Sequence, residues 1–129
     1  MLEDVWQTVA MHLVPAERAH RRIIDGDKVC EAIESLGDPA TVRAWARRFA
    51  VVGDPTRLRL LVCIDAAGPI SVSDLAAALD LNEDTVSQTL RFLRANESVV
   101  GERDGRVIRY RLADLAIQQL VELVRTNAT

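Results

Sequence analysis

Apolar residues recur three and four positions apart along most of this chain, a spacing that predicts amphipathic helices. The first such run ends near Pro15 and consists of Leu2, Val5, Trp6, Val9, Ala10 and Leu13. A second helical stretch is expected after Pro15, with an interruption at Asp25-Gly26-Asp27. It ends at Gly37, a common C-terminal stop, and its apolar face is formed by Val29, Cys30, Ile33 and Leu36.

Two helices that begin with proline are predicted next. Asp38-Pro39 and Asp54-Pro55 each place a capping carboxylate before a proline at the first helical position, where the missing N–H costs nothing. The first of these helices ends at Gly53 and is expected to bury Val42, Trp45, Ala46, Phe49 and Ala50. The second ends at Gly68-Pro69, and its apolar face is Leu58, Leu60, Leu61 and Ile64.

Two short helices are predicted around the tight turn Asp80-Leu81-Asn82. Ser71 and Ser73 offer capping oxygens to the first, whose apolar residues are Leu75, Ala76 and Leu79. Asn82 is expected to cap the second, whose apolar residues are Val86, Leu90 and Leu93.

The periodicity then changes to that of strands. Alternation over Ser98–Arg103 and Arg106–Arg111 predicts two strands, and Asp104-Gly105 between them is a strong hairpin signal. A last helix carries Leu115, Ile117, Leu120, Val121 and Val124. The order predicts a mainly α (α+β) fold, a winged helix-turn-helix with one β-hairpin wing and extra N-terminal helices.

Composition narrows the class of protein. The 129 residues are 49% hydrophobic and contain two cysteines, which predicts a compact core and no disulfide scaffold. No apolar run approaches the roughly 18 residues of a membrane span, and Met1-Leu2-Glu3-Asp4 lacks the basic start of a secretory signal. A cytoplasmic protein is therefore expected. We do not expect an enzyme, because the sequence contains no phosphate-binding glycine loop, no paired catalytic carboxylates and no Cys/His spacing typical of a nucleophile.

The net charge of the whole chain, −3, argues against binding to nucleic acid, but the net charges of its segments do not. Residues 1–40 carry four basic and eight acidic residues, whereas residues 41–81 and 82–112 each have a net charge of +1. The acidity therefore belongs to the N-terminal third. We expect modest, salt-sensitive DNA affinity, with the acidic segment facing away from the duplex.

The helix from 82 to 95 and the hairpin carry the chemistry expected at DNA. The major groove admits one α-helix, whose N-terminal residues reach the base edges. The candidate DNA-binding residues are Thr85, Ser87, Gln88, Arg91 and Arg94 on the helix, and Arg103 and Arg106 at the hairpin tip. Gln pairs with adenine through two hydrogen bonds, and arginine binds phosphate or guanine in the same way.

A family resemblance rests on four segments, which occur in the same order as in the family: residues 49–61, 71–76, 85–94 and 103–112. The first of them includes Asp54-Pro55-Thr56-Arg57-Leu58. Through them, residues 46–112 resemble the ArsR/SmtB winged-helix repressors. The resemblance implies a homodimer that represses a promoter until an inducer, often a metal ion, releases it. The implied dimer faces are 41–52 and 113–125, and we expect 1–36 to contribute. Two recognition helices would then meet a palindromic operator of double-stranded DNA about 34 Å apart.

This chain departs from the family pattern at several positions. The turn after the recognition helix, often Ala-Gly, is Ala95-Asn96-Glu97 here, and we expect Asn96 to tolerate a left-handed conformation. Glu83 and Asp84 place acids where phosphates would approach. With the net charge, they favour the alternative of a winged-helix protein-interaction module that does not read DNA.

The metal-sensing positions that the resemblance implies hold other residues. On the last helix, Asp114 matches the family's aspartate, but Ala116 and Asn127 stand where histidines are needed. The family's Cys-x-Cys position holds Ser71 and Ser73, hydroxyls that do not replace thiolates for soft metals. The recognition helix contains no cysteine. No metal is expected at the family's usual positions.

A divalent metal ion at a non-standard site remains an alternative, and it would make the protein a metal or thiol sensor. The candidate ligands are His12, His20, Cys30 and Cys63. One combination across a dimer consists of His12, His20, Cys30 and either Asp25 or Glu31. The other interpretation is core packing for the thiols and a surface or interface position for the histidines.

Two functional regions are expected. Residues 1–40 form an N-terminal helical extension for dimerisation or effector response, and residues 41–129 form the winged helix-turn-helix domain for DNA binding and dimerisation. The extension's alternative role is packing on its own core.

Overall fold

A computed structural model describes residues 15–18 and 20–127. The first predicted helix and His12 lie outside these residues. The described elements are a 3₁₀ turn (Ala16–Arg18), α1 (Gly26–Leu36), α2 (Pro39–Val52), α3 (Pro55–Ala67), β1 (Ile70–Ser71), α4 (Val72–Leu79), α5 (Glu83–Ala95), β2 (Val99–Asp104), β3 (Val107–Leu112) and α6 (Leu115–Asn127). Within this part of the chain, every helix is too short or too polar to cross a membrane.

The chain divides into two compact units, Met1–Trp45 and Ala46–Thr129. In the first unit, Asp25 caps α1 by accepting a hydrogen bond from the Lys28 N–H at 3.3 Å. The helical stretch predicted between Pro15 and the interruption at Asp25-Gly26-Asp27 is wrong for the described residues, whereas the part predicted after the interruption corresponds to α1. Turns with i→i+3 hydrogen bonds replace the first part, because the β-branched pair Ile23-Ile24 favours extended backbone and Ile24 stays 88% exposed.

The second unit contains the hydrophobic core. Its fully buried side chains come from α3, α4, α5 and α6, and they include Leu60, Leu61, Leu75, Val86, Leu90, Leu93, Ile117 and Val121. Val99 and Tyr110 add the inner side of the hairpin. The apolar faces predicted for α4 and α5 are confirmed in full, since all six of their residues are buried. For α3, Leu60, Leu61 and Ile64 are buried and Leu58 is half-buried.

Side-chain caps define where the core helices begin. The side chains of Asp54, Ser71 and Asn82 each accept a hydrogen bond from a backbone N–H in the first turn of α3, α4 and α5. The three caps match the predicted helix starts. The prediction of a left-handed Asn96 is wrong: its φ is −91°, and Glu97 has the positive φ of 60°. The Asn96 amide instead donates to the Phe92 carbonyl at 2.9 Å, which holds Asn96 near helical geometry.

The sheet is antiparallel with the order β1-β3-β2. Its two long strands form the wing, with Asp104 opposite Val107 and Val99 opposite Leu112. Strands β2 and β3 each begin and end one residue later than predicted. Gly105, in the turn between them, has the positive φ of 66° that a tight hairpin turn requires. The sequence does not predict β1, whose two residues pair with Tyr110 and Arg109, because two residues are too short for a periodicity.

Two predicted apolar faces are more exposed than expected. On α2, Val42 is 47% and Phe49 56% exposed, Ala46 and Ala50 are exposed, and Trp45 is half-buried. On α6, Ile117 and Val121 are buried as predicted, but Leu115 is 70% exposed. The predicted burial of these exposed residues is wrong for the single chain, because periodicity identifies an apolar face without identifying what covers it.

Core packing can be tested with Leu60, which is fully buried. Leu60→Ala should lower the free energy of unfolding by about 2–5 kcal/mol, because it removes buried methyl groups and leaves a cavity. Leu60→Met, which nearly conserves volume, should cost less than about 1.5 kcal/mol. Urea unfolding followed by circular dichroism measures both. Equal losses in the two variants would contradict this packing.

Candidate nucleic-acid interface

The two sides of α5 differ sharply in burial. Val86, Leu90 and Leu93 face the core. Because residues three and four apart share a helix face, the opposite face of α5 points outward. It carries the predicted residues Gln88, Arg91 and Arg94, all exposed, while Thr85 and Ser87 are half-buried at its edges. The five predicted residues of this helix therefore lie on its accessible side or beside it.

The acids at the start of α5 differ in their surroundings. The Ser73 hydroxyl of α4 donates a hydrogen bond to the Glu83 carboxylate, which ties the beginnings of the two helices together. The carboxylate also lies in the first turn of α5, where the helix dipole favours negative charge. Glu83 is therefore part of the helix-turn-helix framework, and the exposed Asp84 is the acid left on the outer surface.

The wing carries two ion pairs on one side of its hairpin. The Arg109 Nε lies 3.0 Å from the Asp104 carboxylate, and the Arg111 Nε lies 2.6 Å from the Glu102 carboxylate. These two arginines and two acids alternate on the same face, so their charges cancel locally.

Four of the predicted DNA-binding arginines remain available. The guanidinium groups of Arg91, Arg94, Arg103 and Arg106 are exposed, and within residues 15–18 and 20–127 they form no hydrogen bond or ion pair. The first pair lies on the recognition helix and the second pair at the wing tip. Both of the elements that the sequence singles out therefore carry accessible positive charge.

Other arginines stabilise the fold. Arg57 donates to two carbonyls at the end of α2, Arg59 donates to the Leu79 carbonyl at the end of α4, and Arg125 pairs with Asp65 at 2.8 Å. Cations at helix C-termini interact favourably with the helix dipole. Sequence reasoning missed these roles, since nothing in the local pattern distinguishes a capping arginine from a solvated one.

Comparison with known proteins gives a consistent result. A family model described as a helix-turn-helix domain matches residues 52–97. The HTH-type transcriptional regulator CmtR of Mycobacterium bovis is 40% identical over 85 residues, which are 63% of this chain and 71% of that protein.

The transcriptional repressor SmtB homologue of Synechocystis sp. is 41% identical over 75 residues, which are 58% of this chain and 56% of that protein. The chain thus spans little more than half the length of this relative. A solved structure from Mycobacterium bovis, Mb0332, described as a homodimeric winged helix-turn-helix DNA-binding domain, superposes with a TM-score of 0.59 at 28% identity. The superposition covers 69% of this chain and 82% of that one. The chain belongs to the ArsR/SmtB family of winged-helix transcriptional repressors.

Asp114 is the position at which this ArsR/SmtB protein retains a family metal ligand, and the structure gives the carboxylate other partners. It accepts hydrogen bonds from the Arg48 Nε at 2.9 Å and from the Ala116 N–H at 2.9 Å. Burial raises the pKa of Asp114, but these bonds, the Arg48 charge and the Ile117 N–H outweigh it and hold the pKa below its usual value. A cation and a helix N-terminus therefore stabilise the carboxylate.

The neighbouring positions do not fit a metal ion. Ala116 has no side-chain donor atom, and the Asn127 amide donates to the Leu123 carbonyl at 2.7 Å. Ser71 uses its hydroxyl to cap α4, and the Ser73 hydroxyl bonds Glu83. The residues at the family's sensory positions thus have structural partners and do not fit a metal ion.

The other candidate ligands are not brought together within the described part of the chain. There, no group of three or more His, Cys, Asp or Glu side chains lies close enough to hold a metal ion. His20 is exposed in a turn, Cys30 is buried on α1, and Cys63 is half-buried on α3. Burial, with the charges of Asp27 and Glu34, raises the pKa of the Cys30 thiol, which favours its protonated form.

The Arg48–Asp114 pair makes a pH-dependent contribution to stability. Because the folded-state pKa of Asp114 lies below its unfolded value of about 3.9, this contribution is fully present above that value and is lost as pH falls through the folded pKa. We expect wild type to exceed Asp114→Asn in unfolding free energy at pH 7, with the difference shrinking below about pH 4. Asparagine retains a capping oxygen, so the variant isolates the charge. A pH-independent difference in urea unfolding would contradict this assignment.

Proposed function

We propose that this protein binds double-stranded DNA as a homodimer and represses transcription from a palindromic operator until an inducer releases it. The observation that carries the proposal is the outward face of α5, with Gln88 and Arg91 accessible above a buried apolar face. Membership of a repressor family supports the same conclusion. The protein acts in the cytoplasm and has no catalytic role.

The proposed contacts divide by chemistry. Gln88 and Ser87 offer hydrogen bonds to base edges in the major groove, and Arg91 reaches either a guanine or a phosphate from the next turn of the helix. Arg94, with Thr85 on the other flank of the helix, completes the recognition surface. Arg103 and Arg106 extend from the wing tip to the backbone or minor groove. The helix then supplies sequence preference, and the wing supplies affinity that depends on salt.

The dimer proposal is supported by the apolar residues that α6 leaves accessible. Leu115 is 70%, Leu123 61% and Val124 36% exposed, although Ile117 and Val121 of the same helix are fully buried. Homodimeric Mb0332 shows that a similar fold assembles in pairs. We propose residues 113–125 and 41–52 as the association surface, with residues 1–40 as an extension that serves dimerisation or effector response.

DNA readout is tested with two substitutions of different chemistry. Arg106→Ala should weaken binding to all duplexes, because one phosphate contact is lost. The salt slope, which is the slope of log affinity against log salt concentration, should fall in magnitude by about one. Gln88→Ala should mainly relax sequence preference, with a cost of about 1–3 kcal/mol at the contacted base pair. Fluorescence anisotropy measures the affinity of each variant for two duplexes. One is selected by the wild-type protein from a random-sequence library, and the other has an unrelated sequence.

Arg59→Ala is the matched control, since it removes the same charge from α3, outside the proposed DNA-binding and association surfaces. It should leave both the salt slope and the sequence preference unchanged. If the wild-type protein selects no duplex at all, DNA readout is wrong and the interaction-module alternative gains support.

Dimerisation is tested on the exposed side of α6. Leu123→Asp should shift the protein from dimer to monomer, because burying an unpaired carboxylate in an apolar interface is strongly unfavourable. Ala77→Asp introduces the same charge at an exposed position of α4 and should leave the dimer intact. Analytical ultracentrifugation at several protein concentrations measures the masses. A dimer of unchanged stability in Leu123→Asp would place the interface elsewhere.

A further inference from the structure

Arg57, near the start of α3, connects three helices through one side chain. Its Nε donates to the Val51 carbonyl at 2.8 Å, and its Nη2 donates to the Ala50 carbonyl at 3.0 Å. Its Cζ also lies 4.6 Å from the centre of the Phe92 ring on α5. The guanidinium therefore joins the end of α2 to the recognition helix.

The chemistry of this cluster requires arginine. The planar guanidinium directs N–H groups toward two carbonyls and still presents its face to an aromatic ring, which a lysine ammonium does not do. The carbonyl end of α2 is the negative end of its dipole, so a cation is favoured there. The side chain is half-buried, and partial removal from water strengthens both kinds of contact.

Phe92 lies on the exposed side of α5, close to the residues proposed to contact DNA. It follows Gln88 by one helical turn, and it is 43% exposed rather than buried in the core. The buried residues Val86, Leu90 and Leu93 lie on the opposite side and fix how deeply α5 sits. A contact on the outer flank adds a second point of attachment, outside the core, to the rotation of α5 that this apolar packing sets.

We infer that Arg57 is a positioning residue, which sets the rotation of the recognition helix relative to the end of α2 and so aims Gln88 and Arg91 at the base edges. The inference rests on the proposed DNA-binding function and deepens it. It assigns Arg57 no contact with DNA. Its effect should appear in sequence discrimination, since base contacts depend on orientation more strictly than phosphate contacts do.

The test compares Arg57→Met, Phe92→Leu and the double variant. Each is measured for affinity to the duplex selected by the wild-type protein and to unrelated duplex, over a range of salt. We expect each single variant to lower the specific-to-non-specific affinity ratio by about tenfold, the order expected when one good interaction is lost. The double variant should lose no more than either single variant, because both break one contact. The salt slope should stay unchanged.

Two controls separate positioning from general damage. Arg59→Met removes an arginine from the same helix, one that donates a 3.3 Å hydrogen bond to the Leu79 carbonyl and does not contact Phe92. It should change the affinity ratio less than twofold. Phe92→Leu keeps both Arg57 carbonyl bonds, so it tests the contact even if Arg57→Met folds poorly. Thermal unfolding confirms that binding is measured on folded protein.

Three results would overturn the inference. A salt slope reduced by about one in Arg57→Met would make Arg57 a phosphate contact. Additive losses in the double variant would mean that Phe92 and Arg57 act separately. A lower melting temperature with an unchanged affinity ratio would make Arg57 purely structural. Each result requires that the wild-type protein selects a duplex, and failure of that step counts against DNA binding itself.

Discussion

The structure depends on the burial of one apolar face of α5. Val86, Leu90 and Leu93 are at most 1% exposed, and they join a core that Leu60, Leu61 and Leu75 contribute from α3 and α4. Because a helix has a fixed periodicity, burying this face determines which residues point outward. The same hydrophobic contacts that stabilise the domain therefore expose Gln88 and Arg91. The hydrophobic core therefore also orients the side chains that we propose to contact DNA.

Arginine has two roles in this protein, and burial and partners separate them. Arg57 and Arg59 satisfy carbonyls at helix ends, and Arg109 and Arg111 pair with acids of the wing. The charges of Arg109 and Arg111 are largely offset by their acidic partners. The net charge of −3 is thus a poor guide to the surface potential at α5 and the wing tip, where arginines without such partners dominate.

Local sequence chemistry predicts most of the winged-helix unit. Capping residues such as Asp54 and Asn82 mark helix starts, and Asp104-Gly105 marks the hairpin, because each acts within four residues of itself. The errors involve longer-range information. Phe49 and Leu115 recur at helical spacing but are exposed in the structure, because burial depends on contacts that periodicity does not specify. Glu97, rather than Asn96, adopts the left-handed conformation because the Asn96 amide bonds back to Phe92. The pairing of Arg57 with Phe92 spans 35 positions of chain, so no local pattern reveals it.

Two ion pairs hold the two ends of the last helix. Arg48 holds the start of α6 through Asp114, and Asp65 of α3 holds its end through Arg125. Both pairs are partly buried, with the Asp65 side chain only 6% exposed, and they add to the attachment that the buried Ile117 and Val121 supply. Two fixed ends also restrict how the helix rotates and slides. An apolar face held in one orientation loses less conformational entropy on association than a mobile face does. If α6 forms part of the association surface that we propose, the two ion pairs favour association by holding Leu123 and its neighbours in one orientation.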